Sequence, residues 1–162
     1  MKACVIIPAR YKSSRLPGKP LINLLGKPMI IWVAEICIKA VGLKNVYIAT
    51  DDMRIKNVVE SFGYNVILTS KDAITGTDRV AEASNLLNYE IYVNVQGDEP
   101  LLDYKDIIEA INQKLKYPEQ VINGYTDIDL DQNSNNINIP KVVLNESERL
   151  LYISRSLIPG YK

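Results

Sequence analysis

Short apolar runs alternate with stretches whose apolar residues return at helical spacing, and this alternation narrows the fold more than any other feature of the chain. The runs lie at 3–7, 45–49, 65–68 and 91–95. The first reads ACVII, apolar throughout, as a strand buried on both faces must be. Between the runs, Ile30, Val33, Ala34, Cys37 and Val41 predict a helix over 28–41 that Gly42 stops. Ile55, Val58, Val59 and Phe62 predict a second helix over 53–62, closed by Gly63. Thr77 is the expected cap of a third, reaching about Leu87, with Val80, Ala81 and Ala83 inward. A fourth runs from 103 to about 115 on Ile107, Ile108, Ala110, Ile111 and Leu115. The order βαβαβαβα predicts an α/β protein of three layers (αβα), a mainly parallel sheet with helices on both faces. Further β-type stretches are expected near 121–126, 139–144 and 149–153, around a polar run at 127–138 that reads as an exposed loop.

A chain of 162 residues suits a single domain, 1–162, that buries a core without disulfides or metal staples. The 19 basic and 19 acidic side chains cancel, so no basic surface invites nucleic acid. Cys4 and Cys37 are too few for a disulfide framework or a zinc site, and read as buried thiols of a reducing cytoplasm. With no histidine, every His-based triad and His metal site is removed. The apolar start is too short for a signal segment, and nothing approaches the roughly 20 apolar residues of a membrane span. A soluble cytoplasmic protein is the expectation.

In an open α/β sheet, ligands sit at the carboxyl ends of the strands. The unusual residues of this chain gather there. After the first strand comes PARYKSSRLPGKP (8–20), whose backbone N–H groups could cradle phosphate while Arg10, Arg15 and Lys19 neutralise its charge. The same residues could form only a solvated basic loop. The segment is neither a Walker A loop nor G-x-G-x-x-G, which disfavours a dinucleotide-binding oxidoreductase. After the fourth strand stands Gln96-Gly97-Asp98-Glu99-Pro100, either a turn or a Mg²⁺ site of the kind phosphoryl and nucleotidyl transfer use. Thr69-Ser70 and Thr75-Gly76-Thr77-Asp78-Arg79 could read a base or ribose, or simply cap a helix. Asp51-Asp52 reads as a loop and helix cap. Asp127-Ile128-Asp129-Leu130-Asp131 opens like a calcium loop, but Gln132 and Asn138 stand where its glycine and closing glutamate belong, so an EF-hand is rejected.

Together these residues resemble the 3-deoxy-manno-octulosonate (KDO) cytidylyltransferases. The resemblance is carried by IIPARYKSSRLPGKPL (6–21), GKPMI (26–30), ATD (49–51), TGTDRVAE (75–82), VNVQGDEP (93–100), PKVV (140–143) and YISRSLIP (152–159). It implies a nucleotide-diphospho-sugar transferase (Rossmann-like) fold and Mg²⁺-dependent transfer of CMP from CTP to KDO for lipopolysaccharide biosynthesis. By matched position, Arg10 and Lys19 would contact the triphosphate with Arg15 nearby. Pro8, Ala9, Ser70 and Gln96 would surround the cytidine, Asp98 would hold Mg²⁺, and Arg79 and Arg155 would lie around the nucleotide and sugar. The family's usual His-x-Ser-Gly-Thr is Ala73-Ile74-Thr75-Gly76-Thr77 here. Its members also continue beyond the Ile-Pro at 158–159, with a second metal-binding aspartate and most sugar-reading and dimer-forming residues. The chain is therefore expected to be the N-terminal, nucleotide-binding portion of such an enzyme. Its partners would be CTP and KDO, with an amino-KDO or nonulosonic acid as the alternative sugar, and a homodimer mate or a separate C-terminal chain. A non-catalytic nucleotide-binding module is the competing reading.

Overall fold

The computed structural model describes residues 3–12, 16–128, 135–158 and 160. The chain divides into two compact units, Met1–Ile122 and Asn123–Lys162.

The first unit is built on β1 (Ala3–Ala9), β4 (Val46–Thr50), β5 (Asn65–Leu68) and β6 (Ile91–Asn94), all parallel, in the order β5-β4-β1-β6. Between β1 and β4 a small hairpin, β2 (Asn23–Leu24) and β3 (Lys27–Pro28), turns through Leu25 and Gly26, both at positive φ. β1 lies inside the sheet and its side chains alternate between two cores. Val5, Ile7 and Ala9 join the larger core, while Cys4 and Ile6 enter the smaller one on the other face. That alternation is the period of a strand, and double burial is why the run contains no polar residue.

Four helices cover the sheet: α1 (Met29–Val41), α2 (Met53–Ser61), α3 (Gly76–Ser84) and α4 (Tyr104–Lys116). The larger core takes Ile30, Ile31, Val33, Ala34 and Cys37 from α1, Ile55 and Val59 from α2, and Ile107 from α4. The smaller core takes Val80 and Ala83 from α3. Helices thus lie on both faces, as the alternation predicts, though three share one face. α1 ends as expected at Gly42, whose φ of 81° few other residues adopt and whose N–H donates to Ile38 O at 2.8 Å. Burial pushes the thiols of Cys4 and Cys37 up to about 12, in keeping with their expected role as inert core residues.

Two expectations change. The cap of α3 is Thr75, not Thr77: Thr75 Oγ1 accepts from Asp78 N at 3.1 Å, and Asp78 Oδ2 accepts from Thr75 N at 2.8 Å. A capping box needs an acid three residues after the hydroxyl; Thr75 has Asp78 there, whereas Thr77 has Val80. No strand forms over 121–126. Val121 is 88% exposed and Tyr125 53%, so the stretch gains no apolar face or partner strand to pay for extension.

In the second unit, β7 (Lys141–Leu144) and β8 (Leu150–Ser154) pair antiparallel, close to the two later stretches expected from sequence. Lys141 is buried beside this hairpin, its Nζ donating to Asn136 O at 2.6 Å and Arg155 O at 3.0 Å. The described part of the polar run, residues 127–128 and 135–138, is almost wholly exposed. Residues 129–134 lie outside the described residues. No helix among the described residues is long and apolar enough to cross a membrane.

The capping box sets a pH dependence. Hydrogen bonds from Thr75 hold the Asp78 carboxyl below its usual range. A carboxyl depressed in the folded state stabilises it above the unfolded pKa, and that stability is lost as pH falls through the folded value. Asp78→Asn should therefore lower the thermal midpoint at about pH 6, and the gap to the parent should close toward about pH 3. A midpoint difference independent of pH would contradict this origin.

Candidate active site

The register of the sheet gathers the strand ends. Ala9 pairs with Thr50 and Thr50 with Leu68, while Ile6 pairs with Asn94 and accepts from Val95 N at 3.2 Å. The segments after β1, β4, β5 and β6 therefore open on one rim of the first unit, and the N-terminus of α3 joins them.

The loop after β1 is shaped by its own backbone. Gly18 N donates to Tyr11 O at 2.8 Å, and Gly18 sits at φ 72°. A Cβ there would lie 3.1 Å from the Tyr11 ring. The ring is flanked in turn by the Arg54 guanidinium, 3.3 Å from its centroid, and Arg54 is anchored by Asp52, Nε to Oδ1 at 2.9 Å and Nη2 to Oδ2 at 2.6 Å. That bond is the chief cause holding the Asp52 carboxyl below its usual range. Past Gly18 a short 3-10 turn, Lys19–Leu21, buries Pro20 and presents Lys19. Lys19 Nζ meets Asp98 Oδ2 at 2.5 Å, joining residues distant in sequence across the ends of β1 and β6. Both side chains are partly exposed, so the pair is open to exchange with solvent ions.

Beside this pair, Pro8 and Gln96 crowd Gly76 at the start of α3: a Cβ on Gly76 would meet Gln96 Oε1 at 3.1 Å and Pro8 Cγ at 3.3 Å. Gly97 is equally confined, its absent Cβ 3.0 Å from Pro8 O. Close backbone approach, rather than an unusual dihedral, is what this glycine supplies. Pro8 and Ala9 are buried, whereas Gln96 is exposed and donates from Nε2 to Asn94 Oδ1 at 2.9 Å. Arg10 Nη1 donates to Ile74 O at 3.1 Å across the rim. Ser70 is fixed by its neighbours, its N–H donating to Glu82 Oε1 at 2.5 Å and its Oγ to Asp72 Oδ2 at 3.0 Å.

Most residues singled out from sequence thus converge: Pro8, Ala9, Arg10, Lys19, Ser70, Gln96 and Asp98 all border this rim. Arg79 is 3% exposed, and its guanidinium is held by Thr69, Ser70 and Asp51. Arg15 lies outside the described residues. Arg155 belongs to the second unit, where its Nη1 donates to Ile137 O at 3.2 Å and Asn138 O at 3.3 Å. Sequence reasoning missed the Tyr11–Arg54 stack and the Ile74 carbonyl. Of the Asp51-Asp52 pair read as a loop and helix cap or a substrate contact, Asp52 is the cap, accepting from Arg54 N at 2.9 Å, and Asp51 pairs with Arg79.

Among the described residues, no group of three or more His, Cys, Asp or Glu side chains could enclose a metal ion. What the rim offers is Asp98, adjoining Glu99. A single protein carboxylate fits a cation that draws its remaining ligands from phosphate and water, as Mg²⁺ does.

A parallel sheet with a basic, glycine-shaped loop after its first strand and a carboxylate after a neighbouring one is suited to a magnesium nucleotide, as a nucleotidyltransferase requires. A family model described as cytidylyltransferase matches residues 4–162, and the chain belongs to that family. It is 42% identical to the 8-amino-3,8-dideoxy-manno-octulosonate cytidylyltransferase of Shewanella pealeana, covering 98% of this chain and 67% of the relative. It is 43% identical to the 3-deoxy-manno-octulosonate cytidylyltransferase of Syntrophobacter fumaroxidans, covering 98% and 65%. A solved structure of CMP:2-keto-3-deoxy-manno-octonic acid synthetase complexed with CTP superposes with a TM-score of 0.86 at 38% identity, covering 98% of this chain and 66% of that one. The chain spans about two thirds of the length of these relatives.

The loop geometry carries its own test. Gly18→Ala combines a strained φ of 72° with a 3.1 Å contact to Tyr11. It should destabilise the fold by about 1 kcal/mol or more, read as a lower denaturation midpoint in urea. Gly124→Ala, where a Cβ meets nothing within 4 Å, should leave the midpoint nearly unchanged. Equal effects would contradict the steric account.

Proposed function

We propose that this chain forms the nucleotide-binding part of a cytidylyltransferase that moves CMP from CTP to an acidic eight-carbon sugar of the KDO type. The observation that carries the reading is the Lys19–Asp98 pair at 2.5 Å, a cation and a carboxylate set side by side at the strand ends. The names of the relatives supply the nucleotide and the sugar class.

In this reading Lys19 and Arg10, with Arg15 nearby, receive the triphosphate. Charge-assisted hydrogen bonds from a lysine and planar guanidinium groups suit its crowded negative oxygens. Pro8, Ala9, Gly76 and Gln96 bound the cytosine and ribose, Ser70 stands at their edge, and Arg155 serves the sugar. Asp98, freed from Lys19, holds Mg²⁺, which when bound screens the phosphate charge and polarises the reacting phosphoryl group. The anomeric hydroxyl oxygen of the sugar bonds to the α-phosphorus as the α–β bridging P–O bond breaks. Pyrophosphate leaves with that bridging oxygen, and the hydroxyl proton passes to solvent. Such a transfer depends on positioning and charge neutralisation more than on a strong base. The 8-amino sugar is the second acceptor to consider, because relatives named for it are 42% to 46% identical to this chain, against 43% for a relative named for 3-deoxy-manno-octulosonate.

Calorimetric titration tests the nucleotide assignment. CTP·Mg²⁺ should bind more tightly than ATP·Mg²⁺, and Lys19→Ala or Arg10→Ala should weaken CTP by about tenfold to a hundredfold. Equal affinity for all nucleoside triphosphates would defeat the cytidine assignment. Pyrophosphate release from CTP, measured with KDO and with its 8-amino analogue in parallel, identifies the acceptor. Release with neither sugar would favour the binding-module reading for these 162 residues.

A further inference from the structure

We propose that the buried Arg79 and its half-buried partner Asp51 are a positioning pair that fixes segment 69–75, and through it Arg10, in the shape the triphosphate site requires. The proposal rests on the nucleotide-binding reading above, and it gives Arg79 a role other than ligand contact.

Arg79 is 3% exposed, yet it stands at the first turns of α3, next to the rim. Its guanidinium adds a side-chain tie between segments whose backbones already meet where Thr69 N donates to Thr50 O at 2.9 Å. Nη2 lies 3.2 Å from Asp51 Oδ1, directly after β4. Nη1 donates to Thr69 Oγ1 and, at 3.3 Å, to Ser70 O, directly after β5. The backbone N–H of Arg79 donates to Thr75 O at 3.3 Å, at the far end of the same segment. One side chain therefore spans the ends of β4 and β5 from its seat on α3.

A planar guanidinium presents several donors in a rigid fork, so it can hold acceptors on separate segments at fixed relative positions. Lysine, a point charge on a flexible stem, cannot. Asp51 supplies the counter-charge. Its Oδ1 is buried without a hydrogen-bond partner among the described residues, so the attraction to Arg79 is of charge rather than of a directed bond. The pair is thus a device of orientation: removing Asp51 leaves the guanidinium buried without its counter-charge.

The held segment matters because of what it touches. Ile74 O accepts from Arg10 Nη1 at 3.1 Å, and Arg10 is the first cation of the phosphate loop. Ser70, at the other end, is further pinned by Glu82 and Asp72. Displacement of 69–75 would release Arg10 from its carbonyl and move Ser70 together.

The test uses the whole chain with Asp51→Asn and Arg79→Lys. Hydrogen exchange in peptides covering 69–75 should accelerate by about tenfold in the nucleotide-free variants, as local opening becomes easier. The Kd for CTP·Mg²⁺, measured where each variant is folded, should rise by about tenfold to a hundredfold. Combining Asp51→Asn with Arg10→Ala should cost clearly less than the sum of the single losses, because both act through one contact. A merely structural role would not produce that coupling. Unchanged exchange, unchanged affinity or strict additivity would each overturn the proposal. Should Arg79→Lys not fold, Thr69→Val and Asp51→Asn carry the same measurements. If the parent chain binds no CTP, the functional reading fails; faster exchange would then still support the pair's hold on 69–75, and unchanged exchange would overturn it.

Discussion

The parallel pairing of β1 with β4 on one side and β6 on the other decides where every other group lies. Because side chains alternate along a strand, a slip of one residue would send Val5, Ile7 and Ala9 to the face now occupied by Cys4 and Ile6. The two faces carry cores of different size, so that exchange would overfill one and empty the other. Register is therefore fixed by volume as much as by hydrogen bonding. With register fixed, Ala9, Thr50 and Leu68 come level, and the loops that follow have no choice but to share a rim.

Two ion pairs on this rim differ in kind. Arg79 is buried and Asp51 only 21% exposed, and such a pair resists opening because the guanidinium has no water to return to. Lys19 and Asp98 are partly exposed, so separating them costs little. The first suits a fixed framework and the second a contact that a ligand replaces. The glycines make the same division sterically. Gly97 lets the segment after β6 lie against the Pro8 carbonyl of β1, while Gly18 lets the loop fold back under Tyr11.

Much of this was legible in the sequence, and the reasons are physical. Apolar periodicity reports burial, and burial marks out the parallel strands and helices to within a few residues. Gly42 and Gly63 mark chain reversals because positive φ is nearly their monopoly. The rim residues Arg10, Lys19 and Asp98 were legible because charged and glycine-rich segments at strand ends have few structural uses. What was not legible depends on distance in space. Asp51 and Asp52 look alike in sequence, and only the position of Arg79 separates the framework ion from the helix cap. The cap of α3 is Thr75 and not the expected Thr77, and Thr75-x-x-Asp78 is the better match to the capping rule. The 121–126 stretch has strand-like residues, but β structure needs a partner, which no local pattern records.

The Lys19–Asp98 contact has a consequence for how a charged ligand would be taken up. Lys19 already has a counter-ion in Asp98, so when a magnesium nucleotide arrives the two side chains trade one another for phosphate and metal, and the net negative charge of the nucleotide falls to the other cations of the loop. On the proposed reading, capture by this pair is an exchange of partners, carboxylate for phosphate and ammonium for metal. Its strength would then depend on ionic strength less steeply than a count of the basic residues in the loop suggests, leaving discrimination to the shape of the pocket around Pro8, Gly76 and Gln96.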